Sequence, residues 1–236
     1  GEKITARYAD EVIVLSEEQK NYFWNKYRRL TSFIPNGVSI QEQRAPEIIK
    51  EKYNLEKNSY ILFLSRLVPG KGIEYLIKAY KQINTDIPLI IAGDAPYVDD
   101  FIMRIKAEAG NDDRIRFIGF VEGHELQELY SNAKLFVFPS EAEGMPMCLL
   151  EAMSYNAPCL VSDIPENVEV GKQFCRTFKS CDIEDLAREL EKCLNSSFTV
   201  EGEREYIADK YNWETTVQKT LDVYKKPFCR TLFEKA

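Results

Sequence analysis

The stretch Lys134-Leu135-Phe136-Val137-Phe138-Pro139-Ser140-Glu141-Ala142-Glu143-Gly144-Met145-Pro146-Met147-Cys148-Leu149-Leu150-Glu151-Ala152-Met153 decides the fold. The apolar run LFVF stops at Pro-Ser, a polar loop follows, and a helical apolar pattern opens behind Gly144. A short run that is apolar at every position fits a strand buried on both faces, as in a parallel sheet. Pro146 is expected at the first helical position, where a missing N–H costs nothing.

The same alternation extends in both directions. Further strand-like runs are EVIVLS (11–16), YILFLS (60–65), PLIIAG (88–93), IRFIGF (115–120) and APCLVS (157–162). Helical stripes lie between them, with Ile73, Leu76, Ile77 and Tyr80 on one face and Ile183, Leu186, Ala187, Leu190 and Leu194 on another. This order predicts an α/β fold: a Rossmann-like parallel sheet with helices on both faces. Ser16 followed by Gln19 predicts a capped helix start. Short helical patterns are also expected at 44–54, 203–211 and 213–226, the last with an apolar stripe of Trp213, Val217, Leu221 and Tyr224.

The chain has 236 residues, 44% hydrophobic and 29% charged, with net charge −7 and a pI near 5.1. An acidic chain is a poor electrostatic match for nucleic acid. There are six cysteines, no C-x-x-C pair and one histidine, so no zinc site is expected from spacing. The cysteines, such as Cys159 in PCLVS, read as reduced thiols replacing buried aliphatics. Asn195-Ser196-Ser197 matches a glycosylation sequon, of consequence only in a secreted chain. No run reaches the roughly 18 apolar residues of a membrane span. No signal peptide opens the chain, and its start within a helical pattern suggests a piece of a longer protein.

In an open parallel sheet, ligands bind at the carboxyl ends of the strands, so the loops there hold the candidates. The first is Ser65-Arg66-Leu67-Val68-Pro69-Gly70-Lys71-Gly72. Arg66 and Lys71 could clamp a diphosphate, with the glycines admitting close backbone approach; alternatively they are two solvated cations. The phosphate-binding pattern GxxxxGK followed by Ser or Thr is absent, as is GxGxxG behind any strand, which disfavours a dinucleotide oxidoreductase. The second candidate is Glu143 and Glu151, with seven residues between them. A carboxylate accepts well from vicinal hydroxyls, so Glu151 suits a ribose diol and Glu143 the hydroxyls of a sugar. The amides around Gly144, Met145, Pro146 and Met147 would form a helix start suited to phosphate. The apolar run around Glu151 argues against an ordinary surface residue. Gly93 ends a strand, and Asp94 after it reads first as a helix cap. In Gly119-Phe120-Val121 the backbone could meet a base edge, while Phe120 fits plain core packing better. His124 reads as a helix-start surface residue. Glu166 and Glu169 fall on a loop, either solvated or lining the site.

Together these motifs resemble the GT-B-fold glycosyltransferases of family 4, also called group 1. The E-x7-E hallmark is Glu143 to Glu151 behind FVFPS, and SRLVPGKGIEYLIKAY resembles the family's Arg/Lys diphosphate loop. IAGD, FIGFV and ELYSNAKLFVFPS follow in family order, and ADEVIVLSE with IPNGV resembles the end of the N-terminal domain and its crossover. The resemblance implies a retaining, metal-independent enzyme using a UDP- or GDP-sugar. Arg66 and Lys71 would bind the diphosphate and, with Glu143, serve catalysis. Gly93, Phe120, Val121, Ser140, Glu143, Gly144, Met145, Pro146, Met147 and Glu151 would complete the donor site. Residues 1–40 would be a remnant of the N-terminal domain and crossover, 41–200 the nucleotide-sugar-binding domain, and 201–236 helices packing toward the missing domain. That domain would hold the glycan or lipid-linked acceptor, leaving this piece inactive alone. Without it, the Trp213 stripe could drive self-association. The expected location is cytoplasmic, with any contact at the inner membrane face made by the full-length protein. The alternatives are a non-catalytic nucleotide-sugar-binding module and a GT-B epimerase.

Overall fold

The computed structural model describes residues 1–94, 99–196 and 202–226. Ala95, Ser197 of the sequon, Cys229, and residues 201 and 227–236 of the last segment lie outside them. The elements are α1 (Glu2–Tyr8), β1 (Ile13–Val14), α2 (Glu17–Tyr27), β2 (Ser32–Phe33), α3 (Ile48–Tyr53), β3 (Ile61–Leu64), α4 (Ile73–Tyr80), β4 (Leu89–Ala92), α5 (Asp99–Ala109) and β5 (Ile115–Gly119). They continue as α6 (Gly123–Asn132), β6 (Leu135–Phe138), α7 (Met147–Ser154), β7 (Cys159–Ser162), α8 (Pro165–Gly171), β8 (Arg176–Phe178), α9 (Ile183–Asn195), α10 (Glu203–Lys210) and α11 (Trp213–Lys225).

The main sheet is parallel throughout, in the order β5-β4-β3-β6-β7-β8. The strand order reverses between β3 and β6, which opens a crevice beyond their carboxyl ends. Both faces are covered. Leu62, Ile90, Phe136, Phe138, Cys159 and Val161 pack with α3, α6, α7 and α10. Their strand neighbours Ile61, Phe63, Leu89, Ile91, Val137 and Leu160 pack with α4, α5 and α9. Burial at both parities is why these strands read as unbroken apolar runs rather than alternating ones. Ile73, Leu76, Ile77 and Tyr80 of the α4 stripe are all fully buried.

The local signals succeeded unevenly. Ser16 Oγ accepts from the Gln19 amide at 3.2 Å, and Gln19 Oε1 accepts from the Leu15 amide at 2.9 Å. The expected capping box is therefore present, with its return bond one residue earlier. Pro146 stands at the N-cap of α7 rather than at its first helical position. Pro165 holds such a position at the start of α8, which was expected to be a loop. Glu166 and Glu169 are thus helical, and β7 is not the last strand. β8 escaped notice because an edge strand buries less, and Arg176 and Thr177 interrupt its apolar pattern.

A separate parallel pair, β1 and β2, joins Ile13 to Ser32 and Val14 to Phe33. The crossing segment behind it is tied to the C-terminal helices. The Val38 amide donates to the Tyr211 carbonyl at 2.7 Å, and Thr216 Oγ1 donates to the Pro35 carbonyl at 2.9 Å. The outer stripe of α11 stays open, with Trp213 47% exposed and Tyr224 78% exposed. No helix among the described residues is long and apolar enough to cross a membrane.

Two glycines in the loop after β3 make a controlled comparison. Both have positive φ, 85° at Gly70 and 73° at Gly72. A Cβ at Gly70 would meet open space, whereas at Gly72 it would sit 1.9 Å from the Pro139 carbonyl oxygen. Gly70→Ala is expected to cost about 1–2 kcal/mol, the left-handed backbone penalty alone. Gly72→Ala should cost more than about 3 kcal/mol, because the β3 and β6 loops must separate. Urea unfolding of both variants checks this; equal losses would show that the loop contact is soft.

Candidate functional site

The candidate site is assembled where the loops after β3 and β6 meet. Gly72 lets the backbone of the first loop lie against Pro139, and the Glu141 amide donates to the Gly70 carbonyl at 2.9 Å. Below, a buried polar chain holds the second loop: Asn167 Nδ2 donates to Ser162 Oγ at 2.9 Å, and Ser162 Oγ donates to the Ser140 carbonyl at 2.5 Å. Ser140 is fully buried, and its own Oγ has no partner among the described residues.

This frame brings Lys71 to Glu143, with Nζ 2.5 Å from Oε1. Their side chains are only 15% and 8% exposed. Lys71 Nζ also lies 5.8 Å from the centre of the Phe138 ring. Arg66 stands exposed at the same strand end, with no side-chain partner among the described residues. Glu151, half-buried in the second turn of α7, accepts from the Tyr130 hydroxyl at 3.1 Å. Burial pushes its carboxyl up from the ordinary value, and the Tyr130 hydrogen bond opposes that rise. Cys148, on the first turn of α7, ties the groups together electrostatically. Its thiol is pushed up to about 11 by burial and then by Glu151, with Lys71 opposing and Glu143 adding to the rise.

The loop amides are partly available. Pro146 has no N–H, and the Met147 amide is spent on the Met145 carbonyl at 2.9 Å. Among the described residues the amides of Gly144, Met145 and Cys148 have no acceptor. The Gly144 carbonyl accepts from Gln19 Nε2 at 3.4 Å, so α2 reaches the rim. The side chains of Met145, Pro146 and Val121 are buried, which leaves only their backbone to a ligand. Gly93 has a packing role: a Cβ there would lie 1.9 Å from the Ser65 carbonyl oxygen, and its amide donates to Gly119 at 2.8 Å. The expectation that Phe120 packs in the core fails; it is 69% exposed at the carboxyl end of β5. His124 is exposed on the first turn of α6, as expected.

Sequence reasoning missed several contributors. Tyr130 reaches Glu151 across 21 positions, Gln19 reaches Gly144 across 125, and Asn36 Nδ2 lies 3.5 Å from Met147 Sδ. No local pattern announces such contacts. Glu166 also enters the neighbourhood from α8: burial raises its carboxyl first, then repulsion from Glu18, Glu143 and Glu169. Near α2 the neighbourhood thus holds Glu18, Glu166 and Glu169, with Lys172 and Lys210 beside Glu169.

Breaking a buried ion pair leaves an uncompensated charge. Lys71→Met is expected to cost about 3 kcal/mol in unfolding free energy. Adding Glu143→Gln should recover at least half of that loss. Chemical denaturation of both variants and of Glu143→Gln gives the coupling; none at all would mean that water, not Lys71, satisfies Glu143.

Comparison with known proteins identifies the family of the chain. The family described as glycosyl transferases group 1 matches residues 45–226. An uncharacterized glycosyltransferase of Methanocaldococcus jannaschii is 28% identical over 91% of this chain and 60% of its own length. A serotype-specific mannosyltransferase of Escherichia coli is 32% identical over 94% of this chain and 28% of its own. An E. coli UDP-Gal:alpha-D-GlcNAc-diphosphoundecaprenol alpha-1,3-galactosyltransferase is 35% identical over 58% of this chain and 37% of its own. The chain thus spans 60% or less of these relatives. Among solved structures, Anabaena HepE with UDP and glucose superposes with TM-score 0.85 at 20% identity, covering 95% of this chain and 65% of that one. Sucrose-phosphate synthase from Thermosynechococcus elongatus superposes at 0.82 with 24% identity, covering 94% and 59%. The match over most of the chain, on a parallel sheet with its loops joined at the β3–β6 reversal, establishes that this chain belongs to the group 1 glycosyl transferases.

Proposed function

We propose that this chain is the donor-binding half of a retaining glycosyltransferase. It would bind a nucleoside-diphospho-sugar without a metal ion, for transfer to a glycan or lipid-linked acceptor. The observation that carries the reading is the Lys71–Glu143 pair, placed beside Arg66 at the strand-order reversal. Two cations there suit a diphosphate, and the amides of Gly144, Met145 and Cys148, without an acceptor among the described residues, supply further donors. Charge grows on the diphosphate as the glycosidic bond breaks. Donors fixed in advance stabilise that charge more than the bound ground state, which is what accelerates the step. Glu143, already held by Lys71, is assigned to the transferred sugar and Glu151 to the ribose.

The relatives support this assignment by their own substrates: one is a UDP-Gal galactosyltransferase, another a mannosyltransferase, and a structural neighbour holds UDP and glucose. They also disfavour an epimerase. Since the relatives are longer, residues 1–40 are assigned to the end of an N-terminal half, 41–200 to the donor domain, and 201–236 to helices that return toward that half. The acceptor would bind on the part of the protein that this chain lacks, so this piece should bind donor without transferring sugar. Transfer by the full-length protein separates an enzyme from a binding module.

Calorimetric titration with UDP, GDP and ADP, with and without EDTA, tests the reading. One nucleotide should bind, indifferent to EDTA, and Arg66→Ala and Glu151→Ala should each weaken it at least tenfold, or about 1.4 kcal/mol. Absence of binding at millimolar concentration would remove the donor site from this chain.

The pH dependence follows from Glu151. Its folded value is raised by burial, so its contribution to stability declines as pH climbs from the ordinary carboxylate range through the raised value. The charged form is the one that accepts from a ribose diol, so nucleotide affinity should fall on the acid side. Tyr130→Phe removes the opposing hydrogen bond and should move that acid limb to higher pH. Affinity measured from pH 4 upward in both proteins is the check; superimposable profiles would detach Tyr130 from Glu151.

A further inference from the structure

A second cluster of chemically competent side chains lies at the opposite end of the sheet. Cys159 opens β7 and Cys175 immediately precedes β8, so both sit at the amino edge, away from the donor crevice. Glu203, the first residue of α10, closes over them. The two sulfurs and a carboxylate oxygen of Glu203 all lie within 4.8 Å of one another. All three residues are buried, at 0%, 8% and 4% exposure respectively.

Glu203 is the telling member. Its Oε1 is buried and has no hydrogen-bond partner among the described residues. Burial raises its carboxyl to about 8, and among the described residues no basic group opposes. A carboxylate held this way in a protein interior is costly unless a proton or a cation satisfies it. The surroundings are soft. Cys159 Sγ donates to the Ala157 carbonyl at 3.0 Å, and Cys175 Sγ lies 3.9 Å from Met153 Sδ, at the far end of α7 from Glu143.

We propose that Cys159, Cys175 and Glu203 form a buried site for a thiophilic divalent cation of the zinc class, pinning α10 to the amino edge of the sheet. Two thiolates and a carboxylate match the donor preference of that ion, which takes sulfur at about 2.3 Å and oxygen at about 2.0–2.2 Å. Three donor atoms already within 4.8 Å need only a small inward movement to share one centre. Met153 Sδ, 3.9 Å from Cys175 Sγ, places a further soft atom beside the cluster. The absence of a C-x-x-C pair does not oppose this, because the ligands come from three separate elements, at positions 159, 175 and 203. The site is independent of the donor reading: α10 would be fastened whether or not the crevice binds a nucleotide.

The test uses the whole chain, kept reduced, equilibrated with Zn2+ and then passed over a chelating resin. Elemental analysis should find one zinc per chain, and Co2+ should give a thiolate-to-cobalt charge-transfer band. Cys159→Ser and Cys175→Ser should abolish both signals. Glu203→Gln, which keeps size and shape, should weaken zinc at least tenfold, while Cys181→Ser, on an exposed thiol, should leave it unchanged. Zinc should also raise the melting temperature of the wild-type chain and not that of Glu203→Gln, with circular dichroism confirming that each variant is folded. Failure of the wild-type chain to retain zinc, or equal retention in folded Glu203→Gln and both cysteine variants, would overturn the proposal and leave a protonated carboxyl among core thiols.

Discussion

The structure depends on how closely the loop after β3 approaches the loop after β6. The missing side chain of Gly72 sets that distance, with the Pro139 carbonyl filling the space a Cβ would take. Everything that gathers at the crevice inherits this approach: the Glu141–Gly70 hydrogen bond, the Lys71–Glu143 pair, and the start of α7 that carries Cys148 and Glu151. The parallel sheet supplies the reversal of strand order, but the two glycine-bearing turns decide whether a cation on one side reaches a carboxylate on the other.

Charge burial is distributed unevenly around this frame. Glu143 and Lys71 share their desolvation as a pair. Glu151 is buried by apolar neighbours and relieved by one phenol hydroxyl. Glu203 has no such relief among the described residues, although it belongs to the same side of the core as α7. Structures tolerate incomplete satisfaction of buried polar groups where a ligand or ion completes it. The contrast between these carboxylates separates groups that the chain satisfies internally from groups that it leaves for something else.

The chain also shows why family membership and residue roles are different kinds of statement. Group 1 membership follows from a match over residues 45–226. The fold neighbours, at 20% and 24% identity, speak to architecture. The roles of Arg66, Lys71, Glu143 and Glu151 are a proposal, supported by their placement and charge in this molecule.

Much of the fold was legible without coordinates. Continuous apolar runs marked β3, β4, β6 and β7 because both faces of a parallel sheet are buried, and 3.6-residue stripes marked α4 and α9. Local chemistry also exposed the E-x7-E spacing, the Arg66–Lys71 loop and the Ser16 cap, since each lies within a short stretch of chain. Only tertiary structure decided what depends on distant pairs: Tyr130 beneath Glu151, Gln19 against Gly144, and Glu203 over Cys159 and Cys175. It also turned Phe120 outward, made a helix of the Glu166 segment, and added the edge strand β8. The reason is physical. Periodicity records how much of a segment is buried, whereas partners across the core are fixed by packing, which leaves no local trace in the order of residues.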